Sequence, residues 1–152
     1  MRRFITATLV SAILLATPIA AQARSIDGKY VGSHQTPSCV FRYLDGSPRF
    51  SQDEVRATIR CAVARWSVPG GLTQALYIGR RESGFNALAA NPYSSASGVM
   101  QFVDGTWASQ ISARREFIKT QHMSTSVWNG RSNVLIAIKL AHGCSCWSPW
   151  GM

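Results

Sequence analysis

Leu72-Thr73-Gln74-Ala75-Leu76-Tyr77-Ile78-Gly79-Arg80-Arg81-Glu82-Ser83-Gly84 is the stretch on which the fold turns. Leu72, Ala75, Leu76 and Gly79 recur at intervals of three and four, the spacing of one helix face. Gly84 stands where a helix can end on a left-handed residue. The pattern predicts a helix over 72–83 with Glu82 in its last turn. Glu82 lies seven positions after Ala75, so both fall on nearly the same side. Its carboxylate is expected at the edge of an apolar stripe and at the negative end of the helix dipole. Desolvation and the dipole both disfavour the ionised form there. A carboxyl held protonated near neutral pH suits a general acid for glycosidic cleavage. The competing reading is a surface Glu paired with Arg80 or Arg81.

Further helices are expected on both sides. Ser51-Gln52-Asp53-Glu54 is a capping box, with Ser51 as cap and Glu54 three residues on. Val55, Ile59, Ala62, Val63 and Trp66 follow at helical spacing, and Pro69-Gly70-Gly71 stops the run. Cys61 falls about 200° round from Ile59, away from that stripe. Residues 85–101 carry Asn, Pro, Ser and Gly and read as a structured loop. Asp104 is positioned to cap a helix through Trp107 and Ile111. Ser132 is positioned to cap another, carrying Val134, Leu135, Ile138 and Ala141 and stopping at Gly143. The fold class expected is mainly α, a helical domain over 51–152 preceded by an irregular arm over 24–50.

The N-terminus reads as an export signal. Arg2 and Arg3 precede the uncharged apolar run Phe4–Ala16, and Ala21-Gln22-Ala23 supplies small residues for cleavage after Ala23. The run is short for a membrane span of about 20 residues, which sets an uncleaved anchor as the lesser alternative and implies no stable span after cleavage. Removing 23 of the 152 residues leaves 129, enough for one domain with one core. The leader takes two of the 16 basic residues and none of the seven acids, so the mature chain carries +7. Such a charge suits an anionic partner. For an exported chain that is a cell-wall polymer and not nucleic acid. Cys39, Cys61, Cys144 and Cys146 form an even set, which in an exported protein implies two disulfides. Three pairings exist. Bonding Cys144 to Cys146 closes a very small ring, so the expectation is that at least one of them reaches back to Cys39 or Cys61. A metal site has only His142 near Cys144 to suggest it.

The residues after Glu82 narrow the function. Glu82-Ser83-Gly84-Phe85-Asn86 leads through Asn91-Pro92 to Ala96-Ser97-Gly98-Val99-Met100-Gln101-Phe102 and Gly105-Thr106-Trp107. This run resembles the soluble lytic transglycosylase family of the lysozyme-like superfamily, with its Glu-Ser pair at a helix end, a Gly-Leu-Met-Gln-type turn and a Thr shortly after. Val99 stands for the usual Leu. The likeness is strong over about 76–107 and weaker over 133–140 and at Trp147-Ser148-Pro149-Trp150. The family's later Ala-Tyr-Asn motif is not evident, and its nearest counterpart, Leu140-Ala141-His142-Gly143, lacks the tyrosine. The resemblance implies a lysozyme-like domain with Glu82 as catalytic acid and base, Ser83 supporting it, and Met100 and Gln101 lining a glycan groove. Tyr93, in the loop between the motifs, and Trp147 are further substrate-binding candidates, with packing against the second helix the alternative for Trp147 and Trp150. Trp107, in step with Ile111, reads as core.

Two-carboxylate hydrolysis requires a second acid beside the scissile bond. The mature chain offers Asp27, Asp45, Asp53, Glu54, Asp104 and Glu116 besides Glu82. The helix start accounts for Asp53 and Glu54, and a cap accounts for Asp104. The absence of an evident partner favours transglycosylation, in which the muramic acid C6 hydroxyl is the nucleophile. The expected substrate is peptidoglycan, at the β-1,4 bond between N-acetylmuramic acid and N-acetylglucosamine, with no cofactor. A secretion or envelope machine is a further partner to consider. The rivals are a hydrolase of the same bond with Asp104 as helper, and a wall-binding module without chemistry. The compartment expected is the periplasm or the medium.

Overall fold

The local signals around Ser51 place the first helix. In the computed structural model, which describes residues 30–31, 39, 42–43 and 50–152, α1 (Gln52–Arg65) starts with the Ser51 hydroxyl accepting the Glu54 N–H at 3.3 Å. The Glu54 carboxylate in turn accepts the N–H of Phe50. The capping box thus satisfies amide donors that the first helical turn leaves without carbonyl partners. The expected leader lies outside the described residues. The arm contributes β1 (Tyr30–Val31) and β2 (Arg42–Tyr43), which pair antiparallel with Tyr30 opposite Tyr43. So the arm holds a short hairpin-like pairing where an irregular run was expected.

The remaining elements of the described chain are helices, and the fold is mainly α. α2 (Gly71–Ser83) ends on Gly84 at φ +61°, whose N–H closes on the Arg80 carbonyl. α3 covers Asp104–Ala113, α4 Arg115–Thr120 and α5 Gly130–Cys144, followed by a 3₁₀ turn at Ser148–Trp150. Two starts differ from expectation. Asp104 is the first residue of α3, and Val103 precedes it as the boundary residue without a side-chain cap. Asn129, not Ser132, caps α5: its side chain accepts the Ser132 N–H at 3.0 Å. Ser132 is fully buried one turn inside the helix. α5 also runs through Gly143 to Cys144 before Ser145 turns left-handed at φ +50°. Nothing in the sequence reading anticipated α4.

α5 is the centre of the domain. Val134, Leu135, Ile136, Ala137 and Ile138 are consecutive and all buried, and a helix apolar on every side belongs inside. Each of its larger aliphatic side chains contributes about 1.5–3 kcal/mol by leaving water. α1 packs against α5 and α2, so its buried set, including Val55, Thr58, Ile59, Cys61 and Ala62, spreads well beyond one stripe. That wide burial explains Cys61, which is 1% exposed and not on an outward face.

The cysteines pair as Cys39–Cys61 and Cys144–Cys146. The first ties the arm to α1. The second corrects the expectation of a bridge from the arm to the tail. Left-handed Ser145 folds the chain back at the end of α5 and brings the two Cα atoms to 5.1 Å, within disulfide reach. Both bridges fit an oxidising compartment outside the cytoplasm. Among the described residues, no helix is long and apolar enough to cross a membrane.

Candidate active site at the end of α2

The Gly98-Val99-Met100-Gln101 turn is built around Gly98 and the side chain of Asn133. Ser97 and Phe102 exchange both backbone hydrogen bonds, at 3.0 and 3.1 Å, and enclose Gly98-Val99-Met100-Gln101. Gly98 has φ +80°, and a Cβ there would stand 2.3 Å from the Asn133 side-chain nitrogen and 2.6 Å from the Val127 carbonyl oxygen. Only glycine fits that approach. Asn133, fully buried on α5, accepts the Met100 N–H at 2.8 Å and donates to Val127 O at 3.0 Å and to Ser97 O at 3.4 Å. Its amide replaces water for three backbone groups of the turn and of the approach to α5. Gln101, at φ +48°, donates through its side chain to Gly98 O and Ala89 O at 3.0 and 3.1 Å.

The C-terminal tail joins this turn to Glu82. The Trp150 indole N–H donates to the Met100 carbonyl at 2.8 Å, and its ring meets Phe102 edge-on with centroids 5.7 Å apart. The Trp150 carbonyl accepts from the Arg81 guanidinium at 2.6 Å. That same Arg81 nitrogen lies 2.5 Å from Glu82 Oε1, with the Arg81 Nε at 3.0 Å from the same oxygen. The hydrogen bonding that Arg81 donates to Glu82, opposed by some desolvation, raises the guanidinium above its ordinary value. The Glu82 side chain keeps 20% of its surface exposed. Both Arg81 bonds go to Oε1, and among the described residues no hydrogen bond reaches Oε2. One carboxylate oxygen is therefore held, and the other makes no hydrogen bond to the described residues. A small pocket of about 150 Å³ opens beside Trp150, lined by Gln101, Phe102, Val103, Thr106 and Pro149.

The other candidates divide. Ser83 turns its hydroxyl onto the Gly79 carbonyl of its own helix at 3.3 Å, away from Glu82. Tyr93 is 95% exposed on the loop, where nothing covers its ring. Met100 is fully buried, which corrects the expectation that its side chain lines a groove: its main chain serves the site by meeting Asn133 and Trp150. Trp147 is likewise no sugar platform. It is 4% exposed, donates to Pro69 O at 2.8 Å and packs edge-on against Trp150. Trp107 is core, donating to Thr125 O at 2.9 Å. Asp104 is exposed at the start of α3. The pairing of Glu82 with a neighbouring arginine, the competing expectation, is present and Arg81 makes it, while Asn133 is the contributor that the sequence did not single out for the site. Two arginines precede Glu82, and nothing local tells which one turns back. Asn133 acts across 33 residues, a distance no periodicity reveals.

Set against protein-family models, characterised proteins and solved structures, the chain finds no match.

Proposed function

We propose that the chain is an exported peptidoglycan lytic transglycosylase that cuts the β-1,4 bond between N-acetylmuramic acid and N-acetylglucosamine. One observation supports this above the others. Arg81 and Trp150 link the Glu82 carboxylate, at the end of α2, to the main chain of the Met100-Gln101 turn. The two motifs that carry the resemblance to lytic transglycosylases are thus joined at one place in the fold.

In this reading Glu82 Oε2 gives its proton to the leaving glycosidic oxygen as the bond to muramic acid C1 breaks. The resulting carboxylate then takes the proton of the C6 hydroxyl as O6 attacks C1. The products are a 1,6-anhydromuramic end and a free N-acetylglucosamine 4-hydroxyl, and no water is consumed. One carboxyl serves both half-steps. Arg81 is a positioning residue: it fixes Oε1 and leaves Oε2 open. The domain acts in the periplasm or the medium on glycan strands, on its own or with an envelope machine, and takes no cofactor.

Mass spectrometry of muropeptides released from purified wall tests the reaction. Anhydro ends are expected. Reducing ends in their place would make the protein a hydrolase, and no release at all would leave a wall-binding module.

A further inference from the structure

A second feature lies between α1 and α2. A cleft of about 440 Å³ is lined by Arg56 and Arg60 from α1, by Thr73, Leu76, Tyr77 and Arg80 from α2, and by Phe85. Arg56 lies over the Phe85 ring at 4.3 Å. That contact fixes one arginine over the apolar floor formed by Leu76 and Phe85. Tyr77 is 53% exposed and presents a large ring at the rim.

The charges across this cleft are unbalanced. Arg56 pairs with Asp53 at 2.9 Å, an exposed contact one helical turn away. Arg60 and Arg80 have no ion pair among the described residues. Glu54, the next acid on α1, is buried and holds the Phe50 N–H. Glu82 is engaged with Arg81. Among the described residues, three arginines therefore line one cleft against one carboxylate. Like charges in such proximity repel, and a cleft with apolar walls strengthens their field. An anion placed there would relieve the repulsion and meet planar donors suited to bidentate carboxylate binding.

We infer that this cleft docks an acidic peptide segment of a partner protein, with carboxylates on Arg60 and Arg80 and an apolar side chain between them on Leu76, Tyr77 and Phe85. The apolar wall favours a peptide over a bare anion, because a small ion leaves part-buried Leu76 and the half-exposed Tyr77 ring uncovered. The simplest segment with this chemistry is an acid, a residue with an apolar side chain and a second acid. The inference stands on the cleft alone and does not depend on the glycan-cleaving reading.

Fluorescence anisotropy of the full chain with a labelled Asp-Leu-Asp-containing peptide tests it, with the Asn-Leu-Asn and Asp-Gly-Asp versions alongside. Binding of Asp-Leu-Asp is expected to weaken at least about tenfold for either control peptide and for Arg60→Gln or Arg80→Gln, while Glu82→Gln leaves it unchanged. Circular dichroism confirms that each variant is folded, and both arginines are surface residues that can be replaced one at a time. Equal binding of the Asn-Leu-Asn peptide, or wild-type binding by both folded arginine variants, would overturn the inference. Full displacement by inorganic phosphate at matched ionic strength, together with equal binding of Asp-Gly-Asp, would also overturn it, in favour of a general oxyanion site.

Discussion

The indole N–H of Trp150 and the carbonyl of Met100, 50 residues apart in sequence, meet at 2.8 Å. Through this bond the last turn of the chain is locked onto the turn that follows the Glu82 helix. Trp150 then offers its own carbonyl to Arg81, so one residue sets both the turn and the guanidinium that holds Glu82.

Trp150→Phe should therefore uncouple the two. The ring is kept, but the buried Met100 carbonyl loses its donor, which costs about 1–3 kcal/mol. Urea unfolding should register that loss. Cleavage of wall should fall more than stability does, by up to about 10²-fold, because a small displacement of Glu82 degrades its alignment with the scissile bond. Unchanged turnover in this variant would remove the tail from the site.

The turn itself depends on Gly98 and Asn133. Gly98→Ala places a methyl within 2.3 Å of the Asn133 nitrogen at a φ of +80°, so strain and clash both act. Asn133→Leu leaves the Met100 N–H and the Val127 carbonyl without their partner. Each buried group left unpaired costs about 1–3 kcal/mol. Both variants should be among the most destabilised single substitutions in the chain, readable as lowered denaturation midpoints with little change in m-value. A midpoint near wild type for either one would mean that the turn can refold around the change.

The two disulfides should differ in their contribution. Cys39–Cys61 spans 22 residues and Cys144–Cys146 only two. Loop-closure entropy then gives about 3 kcal/mol for the first and roughly half of that for the second. Chemical denaturation of Cys39→Ala/Cys61→Ala and Cys144→Ala/Cys146→Ala double variants compares them directly. Peptide mapping without reductant should recover the same two pairs. A cross-link from Cys39 or Cys61 to the tail would contradict the pairing.

These contacts mark where sequence reading succeeds and where it stops. The start of α1 and the end of α2 were legible because Ser51 with Glu54, and Gly84, satisfy backbone groups within four residues of themselves. Two features misled over the same short range. Asn129 and Ser132 are both good caps three residues apart, and burial of Ser132 decides between them. α4 is six residues long, too short for a periodic signal to stand out from the loop around it. The disulfide pairing turned on the left-handed Ser145, which a non-glycine sequence does not announce. Trp147 and Met100 carry ordinary apolar labels, so whether they face a groove or the core depends on the tail folding back over α2. Glu82 was legible as a helix-end carboxylate. Its pairing with a neighbouring guanidinium was also among the readings, and Arg81 is the one that pairs; the link to Trp150 was not legible, because it arises from a contact 69 residues apart.

The central claim rests on Glu82 and is tested most directly by release of soluble muropeptides from purified wall by Glu82→Gln. Gln keeps the shape of Glu but can neither give nor take the proton at this position. General acid–base catalysis contributes about 10²–10⁴-fold, and with one residue acting in both half-steps the loss should lie at the upper end of that range. Folding should be retained, since the side chain lies at the end of α2 with 20% of its surface exposed, and circular dichroism checks it. Glu116→Gln, exposed in the first turn of α4, should release muropeptides at the wild-type rate. Turnover of folded Glu82→Gln near wild type would contradict the assignment of Glu82 as the catalytic acid.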